Sequence, residues 1–210
     1  MEMLIDGPAG TKYTMVLTHG AGAPMDSPFM ETIASGLAKR GLRCVRFEFP
    51  YMQERRRSGR RRSPDSSAKL QACWLEVIEE LGSRESLVIG GKSLGGRVAS
   101  MVADGAGVAG LVCLGYPFHA PGRPENPRTG HLEALETPTL ILQGTRDALG
   151  GPSEIASYSL SPAIRLVYLE DGDHSFKPRK SSGRTVEQNL EQAVGEICRF
   201  VDRLAGNGVH

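Results

Sequence analysis

The stretch "LVIGGKSLGGR", Leu87 to Arg97, decides how this chain is read. Gly-Lys-Ser after an apolar run suggests a phosphate-binding loop, whereas Gly91-Lys92-Ser93-Leu94-Gly95 is Gly-x-Ser-x-Gly, the pattern of a serine nucleophile on a sharp strand-to-helix turn. A phosphate loop needs its first glycine five residues before the second, to open a loop whose amides surround the phosphates. That position holds Ser86, and the residues between, "LVIG", read as the end of a buried strand. The nucleophile turn fits better. "SLVIG" supplies the strand and "LGGRVASMVAD" the helix. Gly91 and Gly95 are the small residues the strained turn requires, and Gly96 lets the helix pack close to the sheet.

Working outward, the same alternation recurs. Short apolar and β-branched runs at Tyr13 to Gly20, Cys44 to Pro50, Ser86 to Gly91, Gly110 to Pro117, Thr139 to Thr145 and Ile164 to Glu170 have strand length and end at Gly, Pro or polar clusters. Between them lie helical patterns at Pro28 to Lys39, Ala68 to Leu81 and Leu94 to Ala103, with a last one at Glu187 to Leu204. Continuous apolar strands alternating with helices predict an α/β fold, a mostly parallel central sheet with helices on both faces. Such a sheet gathers its strand-to-helix loops on one edge, where ligands bind.

A serine hydroxyl needs a base to take its proton, and the base needs a carboxylate to hold its tautomer. In strand-turn-helix hydrolases the order along the chain is Ser, acid, His. "LILQGTRDALG" delivers Asp147 beyond one strand, and "LVYLEDGDHSF" delivers His174 beyond the next. Asp171 and Asp173 compete for the acid's role but lie on the histidine's own loop, in a turn rich in Asp and Gly. Of the other histidines, His210 is terminal, His131 falls in a short predicted helix, His19 shapes its own loop, and His119 after "GYPF" is a candidate to reach the pocket. Charge developing on a carbonyl oxygen calls for two aimed amides. Leu94, directly after Ser93, supplies one; "THGAGAP" (Thr18 to Pro24) supplies the other, from Ala21 first and Gly22 second.

The totals bound the rest. With 210 residues, 40% of them hydrophobic, and a formal net charge of +1, the chain has material for one core, so residues 1–210 are expected to form a single domain. No run reaches the roughly 18 apolar residues of a membrane helix, and no secretory leader opens the sequence, which makes a cytoplasmic location the expectation. Cys44, Cys73, Cys113 and Cys198 lie far apart without zinc or redox spacing, so neither a metal nor another cofactor is expected. The small net charge hides "ERRRSGRRR", Glu54 to Arg62, with six of the 25 basic residues; the remainder is acidic overall.

With these residues in place the chain resembles the α/β-hydrolase fold, in its small dienelactone-hydrolase-like branch. It is similar to uncharacterised bacterial α/β hydrolases and to the hydrolase-like domain in a subunit of a histone-acetyltransferase complex. The resemblance rests on "THGAGAPMDSPFM", "FEFPYM", Arg62-Ser63-Pro64-Asp65, "GGKSLGGRVAS", "GYPFHAPGRPE", "TPTLILQGTRDALG" and "DGDHSF". It implies Ser93, Asp147 and His174 as a catalytic triad, the three residues that the local reading reaches. The dienelactone hydrolases themselves carry a cysteine nucleophile where this chain has Ser93, so their substrate does not carry over.

Many such hydrolases insert a helical cap after the strand that follows the nucleophile helix. Here Tyr116 to Pro138 has room for a Pro-rich loop and one short helix at Thr129 to Leu135, so little or no cap and an open pocket are expected. The arginine-rich loop 55–62 follows another strand end and emerges on the edge that carries Ser93, which makes Arg55, Arg56 and Arg57 candidate contacts for an acidic substrate. Nucleic-acid binding is disfavoured, because overall basicity and an aromatic stacking surface are missing. The leading reading is a carboxylesterase-like serine hydrolase acting on a small ester or related acyl substrate through an acyl-enzyme. The alternative is a non-catalytic hydrolase-fold scaffold whose arginine loop contacts an acidic partner. Lys92 has no assigned role, and the oligomeric state is open.

Overall fold

In the computed structural model, which describes residues 1–206, the strand β4 (Leu87–Lys92) runs at the centre of a seven-stranded sheet and passes through Ser93 straight into the helix α4 (Leu94–Ala106). Across the sheet the order is β1 (Met3–Asp6), β3 (Arg43–Phe47), β2 (Thr14–Thr18), β4, β5 (Gly110–Leu114), β8 (Thr139–Gly144) and β9 (Ile164–Leu169). All neighbours pair in parallel except β1, which runs antiparallel to β3. The C-terminal ends of β2, β4, β5, β8 and β9 therefore open onto one edge.

Alternation of side chains along each strand divides the core in two. Val16, Ile89, Leu111, Cys113 and Ile141 face α4 and the helix α3 (Ser67–Leu81), whose Trp74 is fully buried. Met15, Leu17, Val88, Val112, Leu140 and Leu142 face α1 (Pro28–Lys39) and α6 (Val186–Gly206) on the other side. The last helix presents Leu190, Ala193, Val194, Ile197 and Val201 to that face, at spacings of three and four that form one stripe on a 3.6-residue helix. Burying apolar area on both faces is what makes the central strands near-continuous apolar runs. No helix among the described residues is long and apolar enough to cross a membrane.

The six predicted strands and four predicted helices are all present, within a few residues at their ends. Three expectations need correction. Residues 55–62 are not a loop throughout: Pro50 opens a helix, α2 (Pro50–Ser58), that carries Arg55, Arg56 and Arg57 and ends at Gly59 with φ 68°. Proline at the first helical position and glycine just past the end are the start and stop signals, and glutamine, glutamate and arginine between them are good helix formers. Between β5 and β8 the chain forms a hairpin of β6 (His119–Ala120) and β7 (Arg123–Pro127), and the predicted helix at 129–135 shrinks to a 3₁₀ turn at Gly130–Leu132. The short edge strand β1, whose Ile5 is 55% exposed, has too little apolar signal to be read from sequence. The remaining short helix, α5 (Pro152–Ile155), packs Ile155 into the core. His210, expected to be uninvolved, lies outside the described residues.

Candidate active site

The turn from β4 to α4 holds Ser93 at φ 51° and ψ −114°, outside the ordinary regions for an L-residue. Two close approaches fix it there. A Cβ on Gly91 would sit 2.3 Å from the Thr18 carbonyl oxygen, and one on Gly95 would sit 2.7 Å from the carbonyl oxygens of both Thr18 and His19. The end of β2 thus lies directly against the turn, and only glycine on either side of Ser93 permits it. Gly96 is equally tight, with a Cβ 2.7 Å from the Gly91 oxygen, so the helix begins pressed against its own strand. Ser93 occupies the helix N-cap position but makes no cap bond. Its hydroxyl points elsewhere.

That hydroxyl lies 2.8 Å from Nε2 of His174, and Nδ1 of His174 lies 2.8 Å from Oδ2 of Asp147. A carboxylate can only accept, so Nδ1 carries the proton and Nε2 is left free to take one from Ser93. The Asp147 side chain is fully buried, while His174 retains 29% exposure toward the edge of the sheet. The structure therefore brings together the three residues expected from sequence. Asp171 and Asp173 do not reach the imidazole. Asp171 receives the backbone N–H and Nε–H of Arg179, and Asp173 accepts the N–H groups of Ser175 and Lys177 within its own turn.

Sequence reading missed Gln143. This buried amide sits on β8 four residues before the acid; its Nε2 donates to Asp147 Oδ2 at 2.9 Å and to the Gly150 carbonyl at 3.1 Å, while its Oε1 accepts the Tyr116 N–H at 2.8 Å. With the Leu149 N–H on Oδ1 at 2.9 Å, Asp147 is anchored at both oxygens. A polar residue inside the apolar run "LILQGT" was the available signal, since a buried amide must find partners.

His19, expected only to shape its loop, does so. Its Nδ1 donates to the Gly20 carbonyl at 2.6 Å and its Nε2 accepts the Phe49 N–H at 3.1 Å, so both ring nitrogens are committed. Burial lowers its pKa and keeps the ring neutral. The loop it holds contributes Gly20, Ala21, Gly22 and Ala23 to an open cavity of about 320 Å³ that also contains Ser93, His174, Phe29 and Met30. The Ala21 and Leu94 N–H groups have no backbone acceptor among the described residues; Leu94 is in the first turn of α4, where amides lack intrahelical partners.

Not every expected contact lies here. His119 is buried away from this cavity, donating from Nδ1 to the Ala120 carbonyl and facing Glu154 across 3.3 Å. Arg56 is a structural tie: it binds the buried Glu48 carboxylate at 2.7 Å and both oxygens of Asp26 at 2.9 Å, joining the loops after β2 and β3. Arg57 pairs with Glu54 one turn back on α2. Of those three arginines, Arg55 alone turns toward the site, donating to the Gly22 carbonyl at 3.0 Å. Lys92 lines the cavity; its Nζ is shut off from water, 5.6 Å from the Phe29 ring centroid, with no hydrogen-bond partner among the described residues. That burial pushes its pKa down to about 8.

The sequence matches the family model of the alpha/beta hydrolase domain over residues 11–202. Among solved structures, the fold is similar to an alpha-beta serine hydrolase homologue from Coxiella burnetii (20% identity, covering 94% of this chain and 89% of that one, TM-score 0.69). It is also similar to an α/β serine hydrolase without a lid from Xanthomonas campestris (19%, covering 96% and 88%, TM-score 0.65). A dienelactone hydrolase from Anabaena variabilis superposes comparably (22%, covering 94% and 90%, TM-score 0.68). Sheet order, the strand-turn-helix at Ser93 and a family match spanning nearly the whole sequence agree: the chain belongs to the α/β-hydrolase domain family.

Proposed function

We propose that this protein is a serine hydrolase that cleaves a small ester or related acyl substrate through an acyl-enzyme. The observation that carries the reading is the continuous hydrogen-bonded chain Ser93–His174–Asp147, with both links at 2.8 Å. In the first half-reaction Ser93 Oγ bonds to the substrate carbonyl carbon as its proton passes to His174 Nε2. The oxyanion forms beside the Leu94 and Ala21 amides, where one such donor contributes about 2.7–4 kcal/mol. As the intermediate collapses, the bond from carbon to the leaving oxygen breaks and His174 returns the proton to the departing alcohol. Water then attacks the acyl-enzyme, giving its proton to His174, and the carboxylic acid leaves as Ser93 recovers its own. Asp147 holds the imidazole tautomer and stabilises the imidazolium without taking the proton. None of these steps requires a metal or cofactor. The mostly apolar walls supplied by Ala21, Ala23, Phe29 and Met30 suit a short acyl group.

A fluorophosphonate probe tests the assignment. Wild type is expected to be labelled on Ser93 and to hydrolyse short-chain aryl esters, with both signals absent in Ser93→Ala. Labelling that persists in Ser93→Ala refutes the nucleophile, and a wild type that neither labels nor hydrolyses refutes the reaction.

A further inference from the structure

Five of the six arginines of residues 55–62 fall into two sets; the sixth, Arg60, is exposed and lines neither the cavity around Ser93 nor the one beside it. Arg56 and Arg57 are spent on carboxylates of the protein itself. Arg55, Arg61 and Arg62 have no carboxylate partner among the described residues, and all three line one open cavity of about 610 Å³ together with Ala21, Gly22, Ser63 and Pro64. The acids that flank them in sequence are engaged elsewhere, Glu54 by Arg57 and Asp65 by Lys69 at 2.9 Å. Gathering three guanidinium groups around one cavity costs Coulomb repulsion, which an anion placed between them relieves. The guanidinium fork presents paired N–H donors that match a carboxylate or a phosphate at two points.

The position of this cavity gives it meaning. Ala21 and Gly22 line it and also line the cavity around Ser93, so a single stretch of backbone forms a wall of both. Arg55 is fixed to that wall through the Gly22 carbonyl, which leaves the other N–H groups of its guanidinium available. A molecule with its carbonyl at Ser93 and a short extension past Ala21 and Gly22 carries whatever ends that extension into the arginine cavity. We infer that Arg55, Arg61 and Arg62 form an anion subsite for a carboxylate or phosphate group borne by the ester that Ser93 attacks. This rests on the serine-hydrolase reading and narrows its substrate class to anionic esters. The positive field beside the nucleophile also concentrates such substrates at the site.

The test compares matched esters: phenyl acetate as the neutral reference, 4-acetoxybenzoate and phenyl hemisuccinate as carboxylates on the leaving and acyl sides, and 4-acetoxyphenyl phosphate as the phosphate. In wild type at least one anionic ester is expected to exceed phenyl acetate in kcat/KM by roughly ten- to hundredfold, the range for losing charged hydrogen bonds. That ratio is expected to collapse toward unity in the Arg55→Gln/Arg61→Gln/Arg62→Gln variant, with fluorophosphonate labelling of Ser93 showing that the variant is folded. The best anionic ester identifies carboxylate or phosphate, and the side that bears it. A ratio unchanged in the triple variant, or a wild type that prefers phenyl acetate in every pair, overturns the subsite. Calorimetric titration of Ser93→Ala with benzoate and with phenyl phosphate separates the two readings. Binding of either that is lost when the three arginines are also replaced upholds the subsite even if ester hydrolysis fails; no binding of either in Ser93→Ala rejects it.

Discussion

Gln143 and Asp147, four residues apart, are joined by a 2.9 Å hydrogen bond from a buried amide to the same carboxylate oxygen that meets His174. The strand that delivers the acid therefore also holds it, through Gln143 contacts to Tyr116 and Gly150 on either side. Gln143→Leu removes these contacts while keeping an apolar filler of similar length. It is expected to lower kcat by roughly ten- to hundredfold with little change in KM, because a displaced carboxylate misorients the base and leaves substrate binding intact. Steady-state kinetics on an aryl ester decide this; a kcat equal to wild type removes Gln143 from any positioning role.

Gly91→Ala places a methyl carbon 2.3 Å from the Thr18 oxygen, which is backbone and cannot swing away. The expected result is a loss of about 1–3 kcal/mol of stability together with reduced fluorophosphonate labelling, since the same contact positions Ser93. Gly105→Ala serves as the control, having nothing among the described residues within 4 Å of an added Cβ. Denaturant unfolding of the two variants side by side checks the contrast.

Arg56→Gln leaves the buried Glu48 carboxylate without its main partner and frees Asp26. A destabilisation of about 1–3 kcal/mol is expected, coming chiefly from the orphaned buried acid. Glu48→Gln/Arg56→Gln should recover part of it. Urea unfolding of both variants tests this, and equal losses in the single and double variants exclude the orphaned Glu48 carboxylate as the source of the destabilisation.

Lys92 makes stability depend on alkaline pH. Its folded pKa, depressed to about 8 by burial, lies below the ordinary 10.5 of the unfolded chain. Below pH 8 the ammonium is charged in both states, and the folded state bears the whole cost of burying it. Between 8 and 10.5 the unfolded state binds the proton that the folded state has released, so stability rises with pH across that window. Relative to Lys92→Met, wild type should gain up to about 3 kcal/mol over that interval, while the variant is more stable than wild type at pH 7. Thermal melts of both proteins across the window give the sign directly.

Much of the site was legible because the chemistry is local in its key parts. Gly91, Ser93, Gly95 and Gly96 declare the strained turn in one hexapeptide, and Asp147 and His174 follow strand ends in the expected order. The arginine segment was harder. Nothing in "ERRRSGRRR" distinguishes Arg56 from Arg55, because their partners lie on other loops: Glu48 and Asp26 for one, the Gly22 carbonyl for the other. The edge strand β1 and the β6–β7 hairpin also escaped notice, since β1 offers only the three apolar residues Met3 to Ile5, β7 offers none, and each gains its pairing from a neighbour.

By itself, the sequence determined the alternation of strands and helices and the parallel sheet that follows from burying both faces, and it singled out Ser93, Asp147 and His174, which the fold joins in one hydrogen-bonded chain. Periodicity and turn chemistry are properties of adjacent residues, so they are written in order along the chain. Only the tertiary structure decided which side chains meet across it. It set Gln143 on Asp147, committed both nitrogens of His19, turned His119 toward Glu154, buried the Lys92 side-chain nitrogen, and gathered Arg55, Arg61 and Arg62 around one cavity. Hydrogen bonds and ion pairs act over a few ångströms between residues far apart in sequence, and only the folded chain brings those residues within reach.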